Sequence, residues 1–193
     1  MKRLIFATHN PNKVEEVRDL LSDSYEILGL DDIGFTEEII EDKKTITENS
    51  IAKAKFVKLK TGYDCFADDT GLEVDALNGQ PGVFSKRFAG LRASSDDNIN
   101  KLLKLLKNTP NRSARFKTVI SLTKDGEIKT FEGICKGIIS NKKMGDYGFG
   151  YDPIFIPKNK KISFGQMSLQ EKNLIAHRAK AINKLVDYLT NLY

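Results

Sequence analysis

The residues of this chain best suited to chemistry are two adjacent carboxylates, Asp68 and Asp69, followed at once by a hydroxyl, Thr70, and a glycine, Gly71. They stand in the stretch Phe66-Ala67-Asp68-Asp69-Thr70-Gly71-Leu72-Glu73-Val74-Asp75-Ala76-Leu77. An apolar lead-in and a Leu-x-Val-x-Ala-Leu alternation read as two strands, with the acids at a bend between them. Adjacent acids repel and are poor strand formers, so stability gives little reason to place them there. A hard divalent cation takes carboxylate oxygens on a short rigid turn, with positions left for water and phosphate. An Asx-type turn, in which Asp68 and Asp69 only cap a chain reversal, fits the same spacing. Both readings stand on these residues alone.

Three further groups have chemical potential. Thr8-His9-Asn10-Pro11-Asn12-Lys13 joins a strand to a helix, gathering a hydroxyl, backbone amides and an ammonium where an anion is favoured. It lacks the glycines of a Walker A loop, and it equally describes a well-capped helix with a solvated lysine. Gly145-Asp146-Tyr147-Gly148-Phe149-Gly150-Tyr151-Asp152-Pro153 combines glycines with aromatics, as for a backbone passing close to something flat. A base can sit on Phe149 or Tyr151 with Asp152 held by Pro153; ordinary aromatic packing explains the run as well. Lys172, His177 and Arg178 put hydrogen-bonding groups where a core-facing helix does not require them, although such residues are often surface decoration.

The elements that must position these groups can be read in order. Residues Lys2 to Ala7 form a first strand. Asn10 caps a helix with Pro11 at its first position, Glu15 and Glu16 in its first turn, and Val14, Val17, Leu20 and Leu21 as its apolar stripe. Tyr25 to Leu30 forms a second strand, and Asp31 to Lys44 is acidic and irregular. Thr45-x-x-Glu48 is a capping box for a helix to about Lys60, with Ala52, Phe56 and Leu59 inward and Gly62 ending it. Glu41 and Asp42 precede that helix, in reach of a metal or in a solvated loop. Asp96 to Leu106 is a helix, and Ser113 to Thr123 and Glu127 to Ile139 flank an Asp125-Gly126 hairpin turn. The last helix spans Leu169 to Leu192, with Ile175, Ala179, Ile182, Val186 and Leu189 facing the core.

Composition bounds the classes. The 193 residues suit one domain, 1–193, with room for two lobes, and 40% hydrophobic with 30% charged content describes a soluble globular protein. No apolar run approaches the ~18 residues of a membrane helix, and the apolar start is too short for a signal peptide. Cys65 and Cys135 match no metal or redox spacing, which implies a reducing, cytoplasmic compartment. The net charge of +5, from 31 basic and 26 acidic residues, suits nucleic acid or a small polyanion such as a triphosphate. A non-catalytic nucleotide- or RNA-binding module is therefore the rival to an enzyme.

Together these motifs resemble the inosine triphosphatase (Ham1-like) family, pyrophosphatases of noncanonical purine nucleoside triphosphates. The resemblance rests on Thr8-x-Asn10-x-x-Lys13, Ala67 to Leu77, Pro81-Gly82-Val83-Phe84-Ser85, Gly148-Phe149-Gly150-Tyr151-Asp152-Pro153, and Glu171-Lys172-Asn173 with His177-Arg178. It implies an α/β fold, an elongated central mixed sheet flanked by helices, with two lobes and an active-site cleft between them (ITPase/Maf-like). It also implies a cytoplasmic homodimer that uses Mg2+ to hydrolyse ITP, dITP and XTP to monophosphate and pyrophosphate, without a stable nucleic-acid or membrane partner. Residue by residue, it implies that Thr8, His9, Asn10, Pro11, Asn12 and Lys13 contact the triphosphate. Asp69 is then general base and metal ligand, Thr70 touches substrate, and Phe149, Gly150, Tyr151 and Asp152 frame the nucleoside. Lys172, His177 and Arg178 complete the base pocket. This chain departs from the family pattern in three places: His9 replaces a Gly or Asn, Ala176 replaces a Ser, and Ile40 falls where the second metal carboxylate is counted. Glu41, its neighbour, is the substitute metal ligand.

Overall fold

The computed structural model describes residues 2–21 and 25–191. Strand β1 (Lys2–Phe6) is followed by helix α1 (Pro11–Leu21), strand β2 (Tyr25–Gly29), helix α2 (Ile46–Thr61) and strand β3 (Cys65–Val74). Then come β4 (Pro81–Gly82), α3 (Ser95–Leu105), β5 (Ser113–Lys124), β6 (Glu127–Ile139), β7 (Phe155–Pro157), α4 (Leu169–Asn173) and α5 (His177–Thr190). The strands form one sheet in the order β2-β1-β3-β5-β6-β7, with β4 on β3. It is mixed: β1 runs parallel to β2 and β3, with Phe6 level with Phe66, whereas β3/β4 and β6/β7 are antiparallel. This is the α/β architecture of a mixed sheet flanked by helices.

The chain divides into two compact units, residues 1–69, 118–133 and 178–193, and residues 70–117 and 134–177. Within the first unit the alternation of side chains along a strand builds two cores. Phe6, Phe66, Ile120 and Leu122 meet α1 and α5 through Val14, Val17, Ile182 and Leu185. Ile5, Ala7, Cys65 and Ala67 instead meet α2 through Ala54 and Val57. Phe6 and Phe66 stack with ring centroids 4.5 Å apart. In the second unit, Leu72, Val74, Ala114, Phe116 and Phe155 pack against Ile99 and Leu102 of α3 and against Phe164.

Several local signals act as read. Asn10 Oδ1 accepts the Asn12 amide at 3.0 Å at the start of α1. Thr45 and Glu48 form the reciprocal capping box of α2, and Gly62 ends it in the left-handed conformation. Asp125 and Gly126 both take positive φ, 51° and 82°, as a type I′ hairpin turn requires.

Four expectations are corrected. The acids do not sit at a bend: β3 runs unbroken through Asp68 and Asp69, because each acid finds a cation on its own side of the sheet. Glu15 and Glu16 lie beyond the first turn of α1, which starts at Pro11. The inward face of α2 is not centred on Ala52, Phe56 and Leu59, of which Phe56 packs partly buried beside the core. Leu59 is 82% exposed, and the buried face is Ile46, Asn49, Ser50, Lys53, Ala54 and Val57, so an apolar period misreads a helix that buries polar groups. The last helix is two helices, broken at 174–176, and Leu192 lies outside the described residues. Among the described residues no helix is long and apolar enough to cross a membrane.

Because the capping box satisfies two otherwise unbonded groups at the start of α2, Thr45→Ala should lower unfolding stability by about 1 kcal/mol. Urea denaturation measures it; an unchanged midpoint would show that the cap contributes nothing.

Candidate active site

The first unit assembles a charged cluster around the acidic pair. Consecutive residues of a strand point to opposite sides, so Asp68 turns toward α1 and α5 while Asp69 turns toward α2. Asp68 is held by Lys13 Nζ at 2.7 Å and by Arg178, whose Nε lies 3.0 Å from Oδ2. The other side of the Arg178 guanidinium is taken by Glu16 of α1. Asp69 accepts from Asn49 Nδ2 at 3.2 Å and from Lys53 Nζ at 3.3 Å, and Lys53 also donates to Glu41 at 2.5 Å. Ser50 donates to the Ala67 carbonyl at 3.1 Å and ties α2 to β3 just before the acids.

The two carboxylates are driven apart in acidity. Burial favours the neutral form of Asp68, but Lys13, Arg178 and Lys53 overcome it and hold the carboxyl well below its usual range. For Asp69 burial wins: with Glu41 and Asp68 adding negative charge, its pKa lies above the ordinary value despite Lys53 and Lys13. A deeply ionised acid thus adjoins one with greater proton affinity, a division of labour typical of acid–base sites. Burial also lowers Lys13 more than Asp68 raises it, whereas Lys53 is raised against burial by Asp69 and Glu41.

The residues between Thr8 and Lys13 are arranged as a capped loop. Thr8 Oγ1 accepts the Asn10 amide at 3.2 Å, and Asn10 caps Asn12, so two of the amides read as an anion cradle already have side-chain partners. The His9 ring lies beside Asp31 and the Glu37 carbonyl, at 2.8 and 3.1 Å. Pro11 and Asn12 are exposed.

The second unit holds the remaining expected residues. Asp152 Oδ2 accepts from the Phe149 amide at 2.9 Å and from Lys172 Nζ at 2.7 Å, and that ammonium lies 5.0 Å from the Phe149 ring centre. Gly148 is required here, since a Cβ would come within 2.1 Å of that same carboxylate oxygen. Gly150 has positive φ, and Thr70 is half-buried in β3. Tyr151 points into the core, its hydroxyl donating to the Ser85 carbonyl at 2.9 Å and pushed up in pKa by burial. Ser85 Oγ in turn accepts the Leu72 amide at 2.8 Å. His177 is buried and stacks on Phe116, ring centres 4.7 Å apart.

Within the first unit, then, Lys13, Glu41, Asp69 and Arg178 are brought into one network, and within the second Phe149, Asp152 and Lys172 form another. Arg178, expected at a base edge, is 2% exposed and bridges two buried carboxylates. Sequence reasoning missed Glu16, Asn49 and Lys53. The i, i+4 spacing of Asn49 and Lys53 on an otherwise apolar helix face was the available signal; Glu16 gave none beyond its place beside the α1 stripe.

Carboxylates, lysines and an arginine from β3, α1, α2 and α5, with Glu41 ahead of α2, thus form a buried acid–base cluster in the first unit of this α/β protein. The chain belongs to the Ham1 family, whose sequence model matches residues 4–188. It is 54% identical over 188 residues to a dITP/XTP pyrophosphatase of Flavobacterium johnsoniae, covering 97% of this chain and 98% of that one. Its fold is similar to that of the Ham1 protein of Staphylococcus aureus, with TM-score 0.88, 38% identity and full coverage of both chains. A HAM1 protein from Coxiella burnetii aligns with TM-score 0.89 and 35% identity over 99% of this chain and 100% of that one.

Removing the guanidinium of Arg178 takes a shared cation from the buried carboxylates of Glu16 and Asp68, which Lys13 replaces only in part and only at Asp68, so Arg178→Met should destabilise the protein by about 3–5 kcal/mol. Chemical denaturation tests this, and a loss under about 1 kcal/mol would mean the network is not held as described.

Proposed function

We propose that the chain is a nucleoside triphosphate pyrophosphatase of noncanonical purines, hydrolysing ITP, dITP and XTP to the monophosphate and pyrophosphate and so clearing deaminated purines from the nucleotide pool. The observation that carries this is the Asp69–Lys53–Glu41 cluster beside Lys13–Asp68–Arg178 in a Ham1-family chain whose relatives include dITP/XTP pyrophosphatases. Water attacks the α-phosphorus in line, the bond to the oxygen bridging the α- and β-phosphorus breaks, and the water proton passes to Asp69. Asp69 suits a general base because its environment raises its proton affinity, while Lys53 and Asn49 fix its direction. Lys13 and Lys53 offset charge on the phosphates. Asp68 stays ionised and, braced by Arg178 and Glu16, holds Lys13 in place.

Mg2+ fits this cluster. Glu16, Glu41, Asp68 and Asp69, when ionised, carry one charge more than Lys13, Lys53 and Arg178 offset. Asp69 and Glu41 share the Lys53 ammonium, so they form a two-carboxylate oxygen donor set, which suits Mg2+ when phosphates and water supply its other ligands. When bound there, Mg2+ supplies charge neutralisation at the phosphates and a more acidic water. Glu41, not Ile40, is the second carboxylate in this reading; Ile40 is apolar and 72% exposed.

Selectivity rests on Phe149 as a stacking face and on Lys172. An ammonium held by Asp152 donates but cannot accept, so it favours the 6-oxo group of hypoxanthine and xanthine and opposes the 6-amino group of adenine. Arg178 acts through Asp68 rather than at the base. The protein works in the cytoplasm as a homodimer in this reading, as the resemblance to its family implies.

Pyrophosphate release with Mg2+ from ITP, dITP and XTP should exceed release from ATP, whose 6-amino group the Lys172 ammonium opposes, and Asp69→Asn should lower kcat at least ~10²-fold. Equal release from ATP would remove the base-reading argument, and full activity of Asp69→Asn would remove the base. Chelation should abolish turnover, and Glu41→Gln should raise the Mg2+ concentration for half-maximal rate by about tenfold or more. An unchanged Mg2+ requirement would exclude Glu41 as a ligand.

A further inference from the structure

His9 sits in the loop read above as the triphosphate site, and its ring is engaged by the segment that follows β2. Nδ1 lies 2.8 Å from Asp31 Oδ1, and Nε2 lies 3.1 Å from the carbonyl oxygen of Glu37. Both partners are acceptors. A neutral imidazole has one N–H and one lone pair, so it can satisfy only one of them; the imidazolium satisfies both. Phe35 lies along the ring, centroids 6.2 Å apart, and meets Phe56 of α2 edge-on at 6.2 Å. The contacts therefore join the Thr8–Lys13 loop to the irregular segment that continues, four residues beyond Glu37, to Glu41.

The charged neighbours agree. The three-residue turn after β2 brings Asp31 and Asp32, the latter paired with Arg18 at 2.6 Å. The segment after it brings Glu37 and Glu38, with the Glu37 carboxylate paired to Lys60 of α2 at 2.7 Å. Partial burial disfavours the imidazolium, but the hydrogen bonds to Asp31 and Glu37 and the Asp31 charge outweigh it, so His9 titrates above its ordinary value of 6.5. The sign follows from linkage: the clasp contributes fully below the unfolded value and is lost as pH rises through the folded one.

We propose that His9 is a positively charged clasp that fixes the Glu41-bearing segment against the triphosphate loop, so that substrate affinity depends on its protonation. This rests on the pyrophosphatase reading of the loop. Losing the proton removes one of the two hydrogen bonds and a positive charge beside a polyanion. Since His9 and Asp31 are both well exposed, the effect is modest, about 2- to 5-fold in KM.

The chain has only two histidines, so imidazole 15N NMR of wild type and His9→Gln assigns the His9 signal directly. It should show a midpoint above 6.5 that Asp31→Asn lowers. In parallel, the ratio of KM for ITP between His9→Gln and wild type, which cancels the ionisation of the substrate, should be about 2–5 below the His9 midpoint and fall to 1 above it. A midpoint at or below 6.5, no response to Asp31→Asn, or a ratio that does not change with pH overturns the proposal; the last is what a merely structural role gives. Lys13→Ala separates the two readings. If its KM is that of wild type, the loop assignment falls and the affinity half of the proposal with it, while the NMR midpoint still judges the clasp. If its KM rises and the His9 ratio stays flat, the loop assignment stands and the clasp falls.

Discussion

The two-residue period of a β-strand governs this structure at Asp68 and Asp69. Two carboxylates on consecutive residues would repel if they shared a side, and burying them unpaired would cost several kcal/mol each. The pleat sends them to opposite sides, where each meets its own cations: Lys13 and Arg178 for Asp68, Lys53 for Asp69. The same alternation that directs Phe66 to α1 and α5, and Cys65 and Ala67 to α2, therefore continues into the site. The apolar core and the charged cluster are one pattern along one strand, with buried carboxylates replacing hydrocarbon at two consecutive positions.

That division sets the chemistry. Three cations keep Asp68 charged and make it a fixed anchor, and burial with nearby acids leaves Asp69 the more basic. Helix α2 completes the arrangement by reversing the usual rule for an amphipathic helix. It buries Asn49, Ser50 and Lys53, each with a partner on or beside β3, and leaves Leu59 in solvent. Burying those groups is tolerable because they are hydrogen-bonded, and it fixes the direction of the Asp69 carboxylate.

The break between α4 and α5 has a comparable role. The interruption at 174–176 falls between Lys172 in α4 and the consecutive His177 and Arg178 that open α5. Lys172 joins Asp152, His177 stacks on Phe116, and Arg178 reaches Glu16 and Asp68. Each of these residues is at most 4% exposed, so their positions are set by packing and charge together. Tyr151 and Ser85 show the same use of motif residues for support, joined by one hydrogen bond in the core of their unit.

Short-range physics made much of this legible beforehand. The capping box at Thr45, the cap at Asn10 and the Asp125-Gly126 turn depend on neighbours a few residues apart, and they form as their residue types dictate. The types needed for phosphate chemistry were also visible as types: a lysine loop, adjacent acids, a glycine–aromatic run. What the sequence could not supply was partnership. Lys13 and Asp68 are 55 residues apart, Arg178 and Asp68 110, and Arg178 and Glu16 162. No local propensity encodes such pairs; they exist because the fold of the first unit brings β3, α1 and α5 together. The sequence by itself determined which groups were present and where helices are capped and hairpins turn, through local hydrogen bonding. Only the tertiary structure decided that the acids part across a continuous strand, that Arg178 braces Asp68, and that Lys53 serves Asp69, because burial and charge pairing are settled only once distant segments meet.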